Sequence, residues 1–332
     1  MYMKKSKATT IAILVLCVCV LFNTSTIVSR ALVNDKNDNN CNSNAPNTYN
    51  YYRNCDKNTG TILEKYDTNI NGSNDIDYYN LATSMSESKA DRIDAMRFII
   101  SIYNKVDFDE QRILKSYIQS YAQYSNDIDL INFYNNINVT KRQKSVENYS
   151  SNAALNYAYQ YWQNYNPIYP DLNDIGGDCA NFVSQCLFAG GKQMDSDWYI
   201  YQKNNTYMRP ANTTQLNESW DLANPSPWIS AEEFGNYWSS QCTTYEYTLS
   251  NYESNHTTIY NSGNIKAGDA LLLLEKVLWW YEGNHVMIIV GTDTQNNDFV
   301  YAGHSNNRID GTILGNICES YSSNYKIKFF SM

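Results

Sequence analysis

Gly176-Gly177-Asp178-Cys179-Ala180-Asn181-Phe182-Val183-Ser184-Gln185-Cys186-Leu187, followed by Gly190-Gly191, is the stretch on which the fold turns. Phe182, Val183, Cys186 and Leu187 fall on one face at helical spacing, and the second pair of glycines is a helix stop. The first pair is a break that leaves Cys179 in the opening turn. Backbone N–H groups without helical partners and the positive end of the helix favour a thiolate there. A thiolate with a lowered pKa is a strong nucleophile near neutral pH. The same N–H groups can donate to an oxyanion. Asp178 stands where a capping residue belongs. Cys186, seven residues on and on the apolar face, reads as core.

A thiol nucleophile needs a base, and the chain has three histidines, His256, His285 and His304. His256 lies in a polar stretch and reads as an exposed loop residue. His285 opens the apolar run Val286-Met287-Ile288-Ile289-Val290, so an imidazole at a strand edge could face the Cys179 helix. His304 follows the next strand, in Gly303-His304-Ser305-Asn306-Asn307. If the two strands are antiparallel neighbours, His304 or Asn306 could reach the His285 ring and fix its tautomer. Trp279-Trp280-Tyr281 precedes His285, either lining a cleft or simply packing.

Other chemistries lack their signatures. There is no His-Glu-x-x-His and no Cys-x-x-Cys, so no metal is expected. A Gly-x-Ser-x-Gly elbow, a phosphate-cradling loop and a dinucleotide fingerprint are all missing, and no cofactor is expected. The 332 residues carry 25 Lys+Arg against 34 Asp+Glu, a net charge of −9, which disfavours nucleic acid as a partner. At 43% hydrophobic and 18% charged, the chain can build a core. The 30 tyrosines are read as compositional bias.

Lys4, Lys5 and Lys7 precede the apolar run Ala8 to Phe22, and Ser29-Arg30-Ala31 offers a cleavage site. Residues 1–31 therefore read as a secretory signal peptide, which makes the protein secreted or cell-surface. The run is shorter than the ~20 residues of a spanning helix, so membrane attachment is expected only if the segment stays uncleaved. Six cysteines then remain, too few for a disulfide framework, with Cys41 and Cys55 spaced to close a short loop. Residues 32–80 are rich in Asn, Asp and Ser and read as a poorly ordered linker. Residues 81–145 read as a small helical module, either a targeting or pro-segment or a spacer. Ile93, Met96, Ile100 and Tyr103 recur at helical spacing, as do Leu114, Tyr117 or Ile118, and Tyr121. A polar stretch, Lys141 to Ser151, is the boundary before the domain at 150–332. In that domain a helix is expected over Ala153–Tyr165 and another over Ser230–Ser239. Strands are expected at Ala270–Leu274, His285–Val290, Phe299–Ala302 and Tyr325–Phe330.

The Cys179 stretch, with Asn166-Pro167-x-Tyr169 before it, closely resembles the "Putative amidase domain" family of Gram-positive bacteria. Ser226-Pro227-Trp228, Phe234 and Tyr237-Trp238 fit as well. Lys266-Ala267-Gly268-Asp269 and Asn284-His285-Val286 are similar to the wider NlpC/P60 and CHAP group. The resemblance implies an α+β, papain-like fold with the nucleophile helix on an antiparallel sheet. It implies amide hydrolysis by Cys179 with His285 as base and His304 or Asn306 as the orienting residue. Asn173 stands where an oxyanion-hole side chain would come. Asp178, Tyr169 and Trp280 complete the expected oxyanion and substrate-binding set. Peptidoglycan peptide is the expected substrate. A non-catalytic wall-binding module and a transglutaminase-like acyltransferase are the alternatives.

Overall fold

Ala270-Leu271-Leu272-Leu273-Leu274 shows no polar alternation, the pattern of a strand covered on both faces. In the computed structural model it sits at the centre of a six-stranded sheet. The structure describes residues 48–71, 76–83, 88–139 and 149–332, with side chains left out at 48–55, 68–71 and 138–139. The signal segment, the first part of the linker, Cys41, the Cys55 side chain and most of the 141–151 boundary lie outside these residues.

The helices before the boundary are α1 (Thr48–Asn71), α2 (Tyr78–Thr83), α3 (Lys89–Ile102), α4 (Phe108–Tyr121) and α5 (Ile128–Val139). Then come α6 (Ser151–Tyr161), α7 (Cys179–Ala189), β1 (Ile200–Gln202), α8 (Thr213–Ser219), β2 (Trp220–Leu222) and α9 (Ala231–Ser239). The last part holds β3 (Thr243–Thr248), α10 (Leu249–Asn261), β4 (Ala270–Val277), β5 (Trp280–Asp293), β6 (Asp298–Gly303), β7 (Arg308–Thr312) and β8 (Tyr325–Ser331). β1 and β2 form a separate ribbon, and the main sheet runs β3-β8-β4-β5-β6-β7 with every neighbour antiparallel.

Alternation along the central strands sorts the core. Leu272, Leu274, Val286, Ile288 and Val290 pack with Phe182, Val183 and Cys186 of α7 and with Phe234 of α9. Leu271, Leu273, Met287 and Ile289 face the other way, onto Leu249 and Tyr252 of α10 and onto Ile313 and Ile317. Each such side chain removed from water contributes roughly 1.5–3 kcal/mol before the entropy of ordering is charged against it. The sequence predicts one apolar face for α7. The structure instead buries every residue from Cys179 to Leu187. The polar members are satisfied: Trp198 Nε1 donates to Ser184 at 3.1 Å, Tyr157 Oη to Gln185 at 2.7 Å, and Trp228 Nε1 to Asn181 at 3.0 Å.

The linker expectation for 32–80 is corrected over its second half. Residues 48–71 are helical, with Leu63 fully buried and Thr59 and Asp67 on the same inward line. Of the buried positions Thr59, Gly60, Ile62, Leu63 and Asp67, only Ile62 and Leu63 are apolar side chains of any size, so hydrophobic periodicity is faint there. α1 is held by Asp56, which receives Arg92 Nη1 at 3.1 Å, and by Lys65 and Tyr66, which reach Glu110 at 2.5 and 3.0 Å. Nor do the helices before residue 145 form a module apart. Asn44–Met332 is one unit. Ser116 of α4 donates to Glu233 of α9, and Trp280 at the start of β5 packs inside the helical core.

Candidate active site

Among the described helices eight begin with a side-chain cap: Asp77, Ser88, Asp107, Asp127, Ser150, Asn212, Ser230 and Thr248 each accept an N–H of the first turn. α7 differs. Its N-cap is Asp178, yet the Asp178 side chain makes no capping bond. The first rung of the helix is Phe182 N–H to the Asp178 carbonyl at 2.8 Å, so the helical ladder does not use the N–H groups of Cys179, Ala180 and Asn181. Cys179 is 7% exposed at this end, whereas Cys186 is fully enclosed and burial pushes its thiol well up. A helix that keeps its N-terminal dipole uncapped beside a thiol suits an anionic sulfur and a developing oxyanion.

The Asp178 carboxylate is diverted inward, which corrects its expected role at the helix cap. Oδ2 lies 2.7 Å from His304 Nδ1, while Oδ1 accepts Asn181 Nδ2 at 2.7 Å and the Leu172 N–H at 3.1 Å. Burial is the largest influence and pushes this carboxyl up, against the lowering pull of His304, Asn181 and the Leu172 amide. His304 is 2% exposed, and its ring stacks on Phe182 with centroids 4.0 Å apart. Its Nε2 lies 2.7 Å from the Tyr161 carbonyl oxygen. Both ring nitrogens are therefore occupied away from His285, so the expectation that the His304 ring orients His285 is corrected.

The His304 ring projects onto Phe182 of α7, away from the His285 ring. The His285 ring lies across Gly303: a Cβ there would stand 3.4 Å from His285 Nε2 and 3.3 Å from Met287 Cγ. A β-bulge beside His285 sets Leu273 opposite His285 and Leu274 opposite Gly283, leaving Asn284 as the extra residue. Bulges of this kind bend a strand and re-aim its side chains. β6 ends at Gly303, and the chain turns through residues 304–307. Ser305 Oγ accepts the Asp178 N–H at 3.0 Å. That bond ties the start of the Cys179 helix to the turn that follows Gly303, the residue against which the His285 ring lies; His285 itself falls inside β5 and does not open it. Ser305 holds φ +70°, a conformation that costs a non-glycine residue about 1–2 kcal/mol. Opposite it, Gly177 has φ +101°, and a Cβ there would come within 2.9 Å of Ser305 Oγ.

Asn306 is an exposed residue of the turn between β6 and β7. Asn173 turns its amide onto Asp171 at 2.8 Å, within its own loop. Tyr169 is half-buried and stacks on Trp228 with centroids 6.0 Å apart, and burial raises its hydroxyl. Trp280 is corrected outright. It is 4% exposed, edge-on to Tyr121 at 5.2 Å and beneath the Arg92 guanidinium at 5.0 Å, so it packs the helical region and lines no cleft. His256 lies on α10, not in a loop. The sequence reading missed Asn181 and Ser305. Their signal was position alone, two residues after the cysteine and one after His304. Among the described residues no group of His, Cys, Asp and Glu could hold a metal, and no helix is long and apolar enough to cross a membrane.

With the first turn of α7 and its thiol described, comparison with known proteins gives the family. Residues 148–330 match the model of the family described as "Putative amidase domain", and the chain belongs to that family. Among curated proteins it is similar to the "Uncharacterized protein YhbB" of Bacillus subtilis (strain 168), at 26% identity over 164 residues. That match covers 46% of this chain and 41% of the relative, so the chain spans less than half of that protein's length. No solved structure matches the chain.

Proposed function

We propose that the chain is an exported, cysteine-dependent amide hydrolase of papain-like type, akin to the NlpC/P60 and CHAP enzymes, acting on cell-wall peptide. Cys179 attacks the amide carbonyl, His285 takes the thiol proton and returns it to the leaving amine, and water then releases the acyl group. The observation that carries this reading is the uncapped first turn of α7. Eight other described helices spend an N-cap side chain on those N–H groups, whereas the N-cap carboxylate of the helix bearing Cys179 is turned to His304. The positive sequence segment Lys4–Lys7 and the apolar run behind it support export.

The test is release of new amino groups from purified peptidoglycan and from soluble wall peptides. The unaltered chain should release them, Cys179→Ala should fall to background, and His285→Ala should lose about 10²- to 10⁴-fold. Full activity in Cys179→Ala refutes the cysteine route. Saturable wall binding without product in the unaltered chain would favour a binding module instead. Incorporation of an added amine in place of water would favour an acyltransferase.

A further inference from the structure

The contact between Asp178 and His304 raises a question of charge, because a buried carboxylate directly precedes Cys179. A carbonyl oxygen can only accept, so His304 Nε2, at 2.7 Å from the Tyr161 carbonyl, carries a proton. The remaining contact, Nδ1 to Asp178 Oδ2 at 2.7 Å, then needs one proton of its own, since two bare lone pairs would repel. That proton sits either on nitrogen, as imidazolium and carboxylate, or on oxygen, as imidazole and carboxylic acid. In both forms the pair has zero net charge. Around it stand Cys179 on α7, Tyr161 at the end of α6, and Tyr165 on the loop before α7, with Asp171 beyond Tyr165. Tyr165 lies against the ring at 4.5 Å, and the positive end of α7 is the nearest fixed dipole.

We propose that His304 is a positioning and charge-balancing residue: by sharing one proton with Asp178 it keeps the carboxyl that precedes Cys179 from presenting a net negative charge to the thiol, and it ties the first turn of α7 to α6. This rests on the reading of Cys179 as nucleophile. An unbalanced carboxylate this close would disfavour the thiolate, as like charges do, by about a unit or more in pKa. The arrangement also explains why the carboxylate is not used as a helix cap. Turned outward onto the first-turn N–H groups it would be charged and would occupy the site.

The experiment titrates the ultraviolet thiolate absorbance of Cys179, taken as the whole chain minus its Cys179→Ser counterpart, in four backgrounds. Asp178→Asn keeps an acceptor for the Leu172 N–H and offers Nδ2–H to His304 Nδ1, so it mimics the neutral pair. Its midpoint should match the unaltered chain within about 0.3 units, a shift small beside the unit expected of a like charge. His304→Gln leaves Asp178 without its balancing proton, and the midpoint should rise by about a unit, a tenfold loss of thiolate below it. Asp178→Asn combined with His304→Gln should return it. A merely structural role for His304 would not give that rescue. The inference is overturned if Asp178→Asn alone lowers the midpoint by a unit, or if His304→Gln folds and leaves it unmoved. Should His304→Gln fail to fold, Asp178→Asn alone decides. The midpoint of the unaltered chain tests the nucleophile separately: if it lies at the ordinary thiol value, the nucleophile reading fails, whatever the variants do.

Discussion

Arg92→Met should destabilise the protein by about 3–5 kcal/mol, the usual cost of breaking a buried ion pair from one side. Arg92 is 4% exposed and lies 3.1 Å from Asp56, 3.3 Å from the Ala82 carbonyl and 3.3 Å from the Tyr117 hydroxyl. Its guanidinium also lies 4.2 Å from the Tyr121 ring centroid. Methionine fills much of the volume but neutralises nothing, so the Asp56 carboxylate stays enclosed without its cation. Burial, the largest influence on that carboxyl, already raises its pKa, with Arg92 pulling it back down. Losing Arg92 should therefore push that carboxyl further up. The assay is urea unfolding at neutral pH, paired with a thermal scan, where the loss should read as roughly 6–20 °C at about 2–4 °C per kcal/mol. Asp56→Asn combined with Arg92→Met should recover to within about 2 kcal/mol of the starting chain, because replacing both partners removes the desolvated charges together. A single substitution costing under about 1 kcal/mol would refute the reasoning. So would a double variant whose loss equals the sum of the two single losses.

Three further outcomes are expected. Gly283→Ala would put a Cβ 2.7 Å from the backbone of Ala231 and Glu232, which side-chain motion cannot relieve; urea unfolding should show a loss of about 2 kcal/mol or more. Glu233 is raised by burial to about 7 from 4.5, so the folded chain holds that proton more tightly than the unfolded one. Its contribution is therefore greatest below about pH 4.5 and is lost as pH rises through 7. Glu233→Gln should flatten the stability slope between pH 5 and 8 by up to about 3 kcal/mol, read from denaturation midpoints across that range. Cys186, enclosed and with its thiol held protonated, should resist iodoacetamide at pH 8 until denaturant is added, as peptide mass mapping would show.

Much of the helix and strand pattern was legible because long apolar periodicities survive any context. The runs around Leu114, Val183, Leu272 and Ile288 all became core. Edge elements were not. β3, Thr243-Thr244-Tyr245-Glu246-Tyr247-Thr248, is polar on both sides, and β7 is five residues long, so neither stands out from a loop. At the site, Cys179 could be read from its own neighbours, since a glycine break and a helix start are local. The Asp178–His304 contact spans 126 residues. Only the three-dimensional sheet decides that the His304 ring turns to Asp178 and Phe182 while the His285 ring lies against Gly303. Trp280 was ambiguous for the same reason: an aromatic run packs or lines a cleft according to what covers it, and here α4 covers it.

Trp280, lodged in the helical core at the head of the strand that carries His285, bears on where the protein can be cut. The stretch shared with the family begins at residue 148. The packed interior crosses that point, through Trp280 and through the contact of Ser116 with Glu233. A fragment trimmed to the shared stretch would bare an indole of roughly 150–250 Å² and strip the cover from two enclosed glutamates. Here the inherited unit is smaller than the unit that folds. Deletion mapping that respects only the shared stretch would report a loss of solubility and mistake it for a loss of function.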